Sequence, residues 1–305
     1  MENKILVGHL LSLLTIFIWG TTFISTKVLL ESFLPIEILF LRFLLGFLAL
    51  WIICPKKLGI LPLNQEIMCA FAGLCGVCLY YLLENIALVY TTASNVGIII
   101  CLAPFFTAIL SALFIKGQEN LGISFFAGMV IAFIGVGMIC FSHSQIRVNP
   151  LGDFLAILAS FAWACYSVFT RKIASFGFNT VLTTRHVFFY GLLFMLLCLP
   201  VFDFNVNLES IFNLNSFLNI IFLGIGASAL CFVTWNFAIK CLGTVKCSAY
   251  IYLVPVVTVA SAVLVLNEPL SFSIVCGMLL TLIGLFISES GIFLKAIAKF
   301  KRSAN

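Results

Sequence analysis

Long apolar runs alternate with short polar breaks along the whole chain. Ten runs stand out, at about residues 8–30, 36–54, 66–90, 93–115, 122–141, 151–172, 181–200, 214–239, 246–267 and 271–290. The hydrocarbon core of a bilayer asks for roughly 20 apolar residues per helix, and the runs come close to that length. The longest polar breaks, Pro55–Gln65 and Phe202–Asn213, read as loops and not as soluble domains. The pattern predicts an all-α integral membrane protein with ten transmembrane helices. The first run is too long for the apolar part of a signal peptide and lacks a small-residue cleavage site, so it reads as a retained first span.

The runs fall into two sets of five that carry the same residues. Gly128 to Gly135 recurs as Gly277 to Gly284, Asn85-Ile-Ala87 as Asn236-Phe-Ala238, Pro104 as Pro255, Glu119 as Glu268, Arg42 as Arg185 and Trp19 as Trp163. The offsets lie between 143 and 151 residues, so the copies differ by small insertions. Five spans per copy is an odd number, which makes the second copy enter the membrane from the opposite side. The expectation is two inverted repeats, residues 1–145 and 146–305, the second ending in a short basic tail.

Composition agrees with a lipid solvent. The 305 residues are 63% hydrophobic and 9% charged, with a mean hydropathy of +1.23. A soluble domain of this length could not hide that much apolar surface. The net charge of +5 does not point to nucleic acid, because no aromatic-basic groove or zinc-finger spacing accompanies it. Cationic residues instead set the orientation. With the N-terminus inside the cell, the inner segments hold Lys4, Lys56, Lys57, Lys116, Arg171, Lys172, Lys240, Lys246 and the tail residues Lys295, Lys299, Lys301 and Arg302. The outer loops hold only Arg147, while Lys27, Arg42 and Arg185 lie within spans. Both termini are therefore expected in the cytoplasm of a multi-pass cell-membrane protein, a bacterial inner membrane being the expected setting. The basic tail is expected to meet anionic lipid headgroups. The 12 cysteines are scattered through apolar runs and read as packing residues. Cys75-Gly-Val-Cys78 stands without a second pair or a nearby histidine, so no metal or other cofactor is expected.

Taken together, these motifs resemble the drug/metabolite transporter superfamily in its EamA-type, ten-helix branch. The resemblance rests on Phe17-Ile-Trp19-Gly20 with Lys27, Leu41-Arg42-Phe43-Leu44-Leu45, Ala87-Leu-Val-Tyr90, Ala93 to Pro104, Asn267-Glu268-Pro269-Leu270 and the Gly-x6-Gly helix that closes each half. It covers about residues 8–290 and departs at Gly117-Gln118-Glu119, which replaces a tighter Gly-Glu turn. It implies a secondary transporter of small organic metabolites such as amino acids, with export the preferred direction, working by alternating access between the inverted halves. An uptake or exchange carrier for a nucleoside-type metabolite such as S-adenosylmethionine is the alternative. The partners implied are a small metabolite and the bilayer.

Several residues could carry transport. Pro104 and Pro255 fall near the middle of their spans and free the carbonyls of Ile100 and Ile251. They read either as paired hinges with carbonyls facing a cavity, or as fixed kinks. Glu84 is the one carboxylate placed well inside a span, where a charge costs roughly 2.5–3.5 kcal/mol on insertion scales. It reads as a coupling or substrate-pairing group, or as a structural partner of Lys27, Arg42 or Arg185. Trp19 and Trp163, with Tyr80, Tyr81, Tyr166, Trp235, Tyr250 and Tyr252, supply aromatic rings with polar tips, and Asn85, Asn95 and Asn236 supply amides. Mid-span polar groups of this kind need internal partners or a wet pocket. Arg42 and Arg185 read mainly as braces of helix ends, His186 as a packed residue, and Glu119 and Glu268 as helix-end caps. The paired glycines read as packing seams between halves or between protomers, which keeps a homodimer open.

An enzyme is disfavoured, because no metalloprotease HExxH, phosphate loop, paired intramembrane aspartates or Ser/His pair is present, and His9, His143 and His186 lie apart. A channel is disfavoured by the lack of a filter segment or a ring of charge. The orientation is testable by C-terminal fusions: a fluorescent reporter should fluoresce, and alkaline phosphatase at the same point should stay inactive. An active phosphatase would invert the topology.

Overall fold

The computed structural model describes residues 2–56, 58–115, 122–141, 149–202, 204–205, 207–267, 270–284 and 286–287. No strand occurs among them. The helices are α1 (Glu2–Leu29), α2 (Pro35–Ile53), α3 (Leu63–Tyr90), α4 (Ala93–Phe114), α5 (Ile123–Phe141), α6 (Pro150–Ala174), α7 (Thr180–Val201), α8 (Leu214–Leu242), α9 (Thr244–Leu266) and α10 (Phe272–Gly284), with a short helical segment, Leu208–Phe212, before α8. Eight are long and apolar enough to cross a membrane, whereas the described apolar stretches of α5 and α10, Ile123–Gly135 and Phe272–Gly284, are shorter. Glu119 and Glu268, the Arg147 loop, His143 and the basic tail lie outside the described residues.

Local chemistry sets the helix starts. Asn149 accepts from Leu151 N ahead of Pro150, Asn179 accepts from Val181 N, and Thr92 accepts from Asn95 N. Glu37 takes Leu34 N at 2.8 Å with one carboxylate oxygen and Asn205 N at 3.0 Å with the other, tying the loop before α8 to the start of α2. Bulky apolar side chains such as Ile52, Leu197 and Leu264 point outward, while Arg42, Glu84 and Asn85 are buried. That is the arrangement a lipid-facing bundle requires.

The two sets of helices interleave. α1 packs on α8 and α9, α2 on α7 and α8, α3 on α6 and α7, and α4 on α6 and α9. The close approaches are exchanged between the sets. A methyl added to Gly46 of α2 would stand 3.0 Å from Gly224 O of α8, and one added to Gly73 of α3 would stand 2.7 Å from Gly191 N of α7. The glycines of α5 and α10 meet head to tail: a Cβ on Gly135 would strike Gly277 O, and one on Gly284 would strike Gly128 O. The glycine seam therefore lies within one chain.

Helix type changes just before each of the two prolines. In α4 a 3₁₀ turn, Ile100–Leu102, precedes Pro104, and in α9 a 3₁₀ turn, Tyr250–Leu253, precedes Pro255. The Cys101 thiol of α4 donates to Ile251 O at 3.7 Å, so one helix helps satisfy the carbonyl that the other's proline frees.

The α5–α10 seam is testable by bulk. Gly135→Leu and Gly284→Leu push side chains into backbone and should each destabilise by about 1–3 kcal/mol or more. Gly137→Leu, where a Cβ meets nothing within 4 Å, is the control. Thermal unfolding in detergent reads the difference, and equal melting of all three variants would deny the seam its role.

Candidate functional site

An aromatic cluster occupies the place where the two sets of helices meet. Trp19 of α1 and Trp163 of α6 stand edge to face with centroids 5.1 Å apart. Trp235 of α8 lies 5.0 Å from Trp19, and Tyr80 of α3 lies 4.9 Å from Trp163. Tyr166 lies 5.0 Å from Trp163, while Phe232 touches both tryptophans and Phe43. Such pairs add about 0.5–1.5 kcal/mol each beyond the area they bury, so the cluster is a rigid platform. Two π-helical stretches deliver it. Leu74–Leu79 in α3 leads directly into Tyr80 and Tyr81, and Phe222–Leu230 in α8 leads into Cys231 and Phe232. π turns rotate the residues that follow them and recur at functional sites.

Beside the platform is a small cavity lined by Trp19, Tyr80, Tyr81, Glu84 and Trp163, closed by Ile100 and Ile251. Those two isoleucines are the residues four positions before the prolines, so the 3₁₀ turns of both helices reach this cavity. Its free space of about 20 Å³ holds about one water. The conformation is closed to anything larger.

Charge is concentrated at the same place. Glu84 and Arg42 are each only 1% exposed. Arg42 lies over the Tyr81 ring, 4.2 Å from its centroid, and donates from Nε to Ser228 Oγ at 3.1 Å. Its charge acts on Glu84, as does Tyr80 one turn earlier on α3. Arg42 Nη1 and Nη2, Glu84 Oε1, Trp163 Nε1 and Trp235 Nε1 are buried with no hydrogen-bond partner among the described residues. Leaving such a group unmatched costs about 1–3 kcal/mol, more for a charged one, so the site favours an incoming molecule that carries polar groups of its own.

The structural partners proposed for Glu84 are largely engaged elsewhere. No ion pair to Glu84 occurs among the described residues. Lys27 donates to Leu88 O at 2.5 Å and Thr91 O at 2.9 Å, at the end of α3. Arg185 donates to Cys54 O and Lys56 O, bracing the end of α2 as expected. Arg42 is different from that expectation: it bonds no carbonyl and instead packs on an aromatic face. His186 is also more than a packing residue, since its Nε2 meets Glu66 Oε2 at 2.6 Å.

Of the residues singled out from the sequence, Trp19, Tyr80, Glu84, Trp163, Tyr166 and Trp235 come together here. Asn85, next to Glu84, donates to Pro35 O at 3.0 Å. Asn236 accepts from the Tyr166 hydroxyl at 2.7 Å and donates to Thr184 Oγ1 at 2.9 Å, forming a polar knot beyond the rings. Asn95 and Tyr250 are in different surroundings. Asn95 bonds Thr91 Oγ1 and Asp153 Oδ1, joining α4 to the start of α6, and the Tyr250 hydroxyl meets His9 Nδ1 at 2.5 Å. Ser228, Phe232 and the platform role of Tyr81 went unread in the sequence. The repeat was the available signal, because Tyr81 and Phe232 sit at the same 151-residue offset as Asn85 and Asn236. The described residues hold no group of three or more potential metal ligands.

The sequence model of the EamA-like transporter family matches twice, over residues 6–141 and 150–289. An uncharacterized transporter of Archaeoglobus fulgidus is 30% identical over 92% of this chain and 97% of its own. A probable amino-acid metabolite efflux pump of Escherichia coli is 27% identical over 92% and 94%, and a probable terminal-alkyne amino-acid exporter of Streptantibioticus cattleyicolor is 25% identical over 87% and 88%. One solved crystal structure shares the fold, with a TM-score of 0.69 over 94% of this chain and 96% of that one at 20% identity.

The cluster carries its own optical probe. Three of the four tryptophans lie in it, and Trp51 is 53% exposed on the outer surface. In Trp51→Phe, a bound solute should still change the emission, and Trp163→Phe should reduce that change. A signal that vanishes with Trp51 alone would place binding elsewhere.

Proposed function

The chain belongs to the EamA-like transporter family, and we propose that it is a secondary transporter that exports small amino-acid-type metabolites. The observation that carries this reading is the buried Arg42 and Glu84 with unmatched hydrogen-bonding atoms beside an aromatic cavity. A guanidinium offers donors to a carboxylate, a carboxylate offers acceptors to an ammonium, and the rings accept an apolar side chain. The names of the relatives from Escherichia coli and Streptantibioticus cattleyicolor support the same substrate class. The S-adenosylmethionine-type exchange carrier gains no comparable support.

In this reading, ten transmembrane helices form two inverted five-helix repeats, residues 1–145 and 146–305, with both termini in the cytoplasm. The exchanged Gly46–Gly224 and Gly73–Gly191 contacts and the antiparallel α5–α10 seam support it. The closed cavity alternates between openings to either side as the repeats rock against one another. Pro104 and Pro255 act as hinges, because each follows a 3₁₀ turn whose isoleucine lines the cavity. Glu84 serves as the coupling or substrate-pairing group. Trp19, Tyr80, Trp163, Tyr166 and Trp235 line or back the path, Asn85 and Asn236 orient it, and Asn95 and Tyr250 stand at its margins. Energy comes from a gradient, with no resident cofactor.

The test is purified protein in liposomes loaded with a labelled amino-acid panel, with and without a pH gradient. Saturable movement is expected, with the pH response lost in Glu84→Gln. Saturable movement that ignores pH and Glu84 would reduce Glu84 to a structural residue. No saturable movement across the panel would remove the substrate class.

A further inference from the structure

A second polar site lies at one end of the bundle, away from the aromatic cavity. A cleft of about 350 Å³ opens between the ends of α4, α6 and α8, lined by Phe114, Ile115, Arg171, Lys172, Ser175 and Lys240. Three of these residues are cationic, and no acidic residue lines the cleft among the described residues. Arg171 spends one nitrogen on Ile239 O at 3.2 Å, and Lys172 stands 5.8 Å from the Phe114 ring centroid.

Helix-end electrostatics explain part of this cluster but not all of it. The cleft receives the C-terminal ends of three helices, and each end carries about half a negative charge. Three half charges leave three full positive charges well short of neutral. The surplus calls for an anion. On one side of the cleft Leu113 and Phe114 stay 71% and 58% exposed, continuing the apolar outer face of α4. A molecule that fits must therefore be anionic at one end and apolar at the other.

We infer that this cleft holds the phosphate of an anionic phospholipid, with its acyl chains lying along Leu113 and Phe114 of α4. Arg171, Lys172 and Lys240 supply the charge, while the Ser175 hydroxyl donates to Lys172 O at 2.6 Å and holds the end of α6 in place beside them. The lipid would join the ends of α4, α6 and α8. Those helices contribute to the Cys101, Trp163 and Trp235 surroundings, so a lipid seated here is placed to bias how the bundle opens.

The experiment uses the full chain in detergent, titrated with phosphatidylglycerol or phosphatidylcholine and read by native mass spectrometry and thermal unfolding. One retained phosphatidylglycerol per chain and a raised melting temperature are expected, with no such effect of phosphatidylcholine. The double variant Lys172→Gln/Lys240→Gln should weaken retention on the order of fivefold per charge removed. Lys299→Gln/Lys301→Gln, which removes the same charge from the tail, should keep the lipid. Lys172→Arg should retain it as well, which separates loss of charge from loss of fold. Equal loss in both double variants would overturn the site in favour of diffuse attraction. Complete displacement by millimolar inorganic phosphate would overturn the lipid in favour of a free anion.

Discussion

Hydrocarbon offers no hydrogen bonds, and the rest of this structure follows from that constraint. A helix satisfies its own backbone in lipid, but its ends and its breaks remain to be matched. Here side chains from other helices do the matching. Lys27 of α1 takes the last carbonyls of α3, Arg185 of α7 takes those of α2, and Arg171 of α6 takes those of α8. Each of these contacts fixes one helix end relative to another, so the need for polar matching also determines the packing. The same logic extends to the proline break in α9, where the Cys101 thiol reaches the freed carbonyl of Ile251.

Apolar burial cannot hold such helices together, because lipid tails are as apolar as leucine. Close approach replaces it. The backbones meet at glycines on α2 and α8, on α3 and α7, and on α5 and α10. Around these contacts the aromatic rings fill the remaining volume with directional pairs. The π stretches belong to the same solution: they occur at matching places in α3 and α8, immediately before the residues that enter the cluster. A plain α-helix would carry Tyr80 and Phe232 around to other faces.

Much of this was legible in the chain because the signals were long or doubled. A span of about 20 apolar residues is set by bilayer thickness, so the observed helix ends fall close to those predicted. The duplication marked Trp19 with Trp163 and Pro104 with Pro255, and the rule that proline frees the carbonyl four residues back picked out Ile100 and Ile251, which do line the cavity. Arg42 was less legible. Its repeat partner Arg185 suggested a helix brace, and helical periodicity could not tell whether it faced a carbonyl or the ring of Tyr81. Asn95 with Asp153 and Tyr250 with His9 are pairings across different helices, separated by 58 and 241 residues, and no local pattern encodes them. The π turns shift the face of every following residue, which defeats face assignment by counting.

The fate of the two arginines shows where the symmetry of the chain breaks and why that matters. Arg42 and Arg185 occupy equivalent places, but their surroundings are not equivalent. The first half presents Tyr80, Tyr81 and Glu84, and the second presents Cys231, Phe232 and Trp235 at the same offset. Lacking an acid or a phenol on that face, Arg185 turns to the carbonyls of Cys54 and Lys56 and becomes structural. Arg42 stays in the interior, held by the Tyr81 ring and Ser228, with two nitrogens unmatched beside an unmatched Glu84 oxygen. Confining the acid to one half of the sequence leaves the cavity lined by a single carboxylate, Glu84, with Arg42 held behind it over the Tyr81 ring. The asymmetry of the site therefore comes from the few residues where the two halves of the sequence differ, not from the many where they agree.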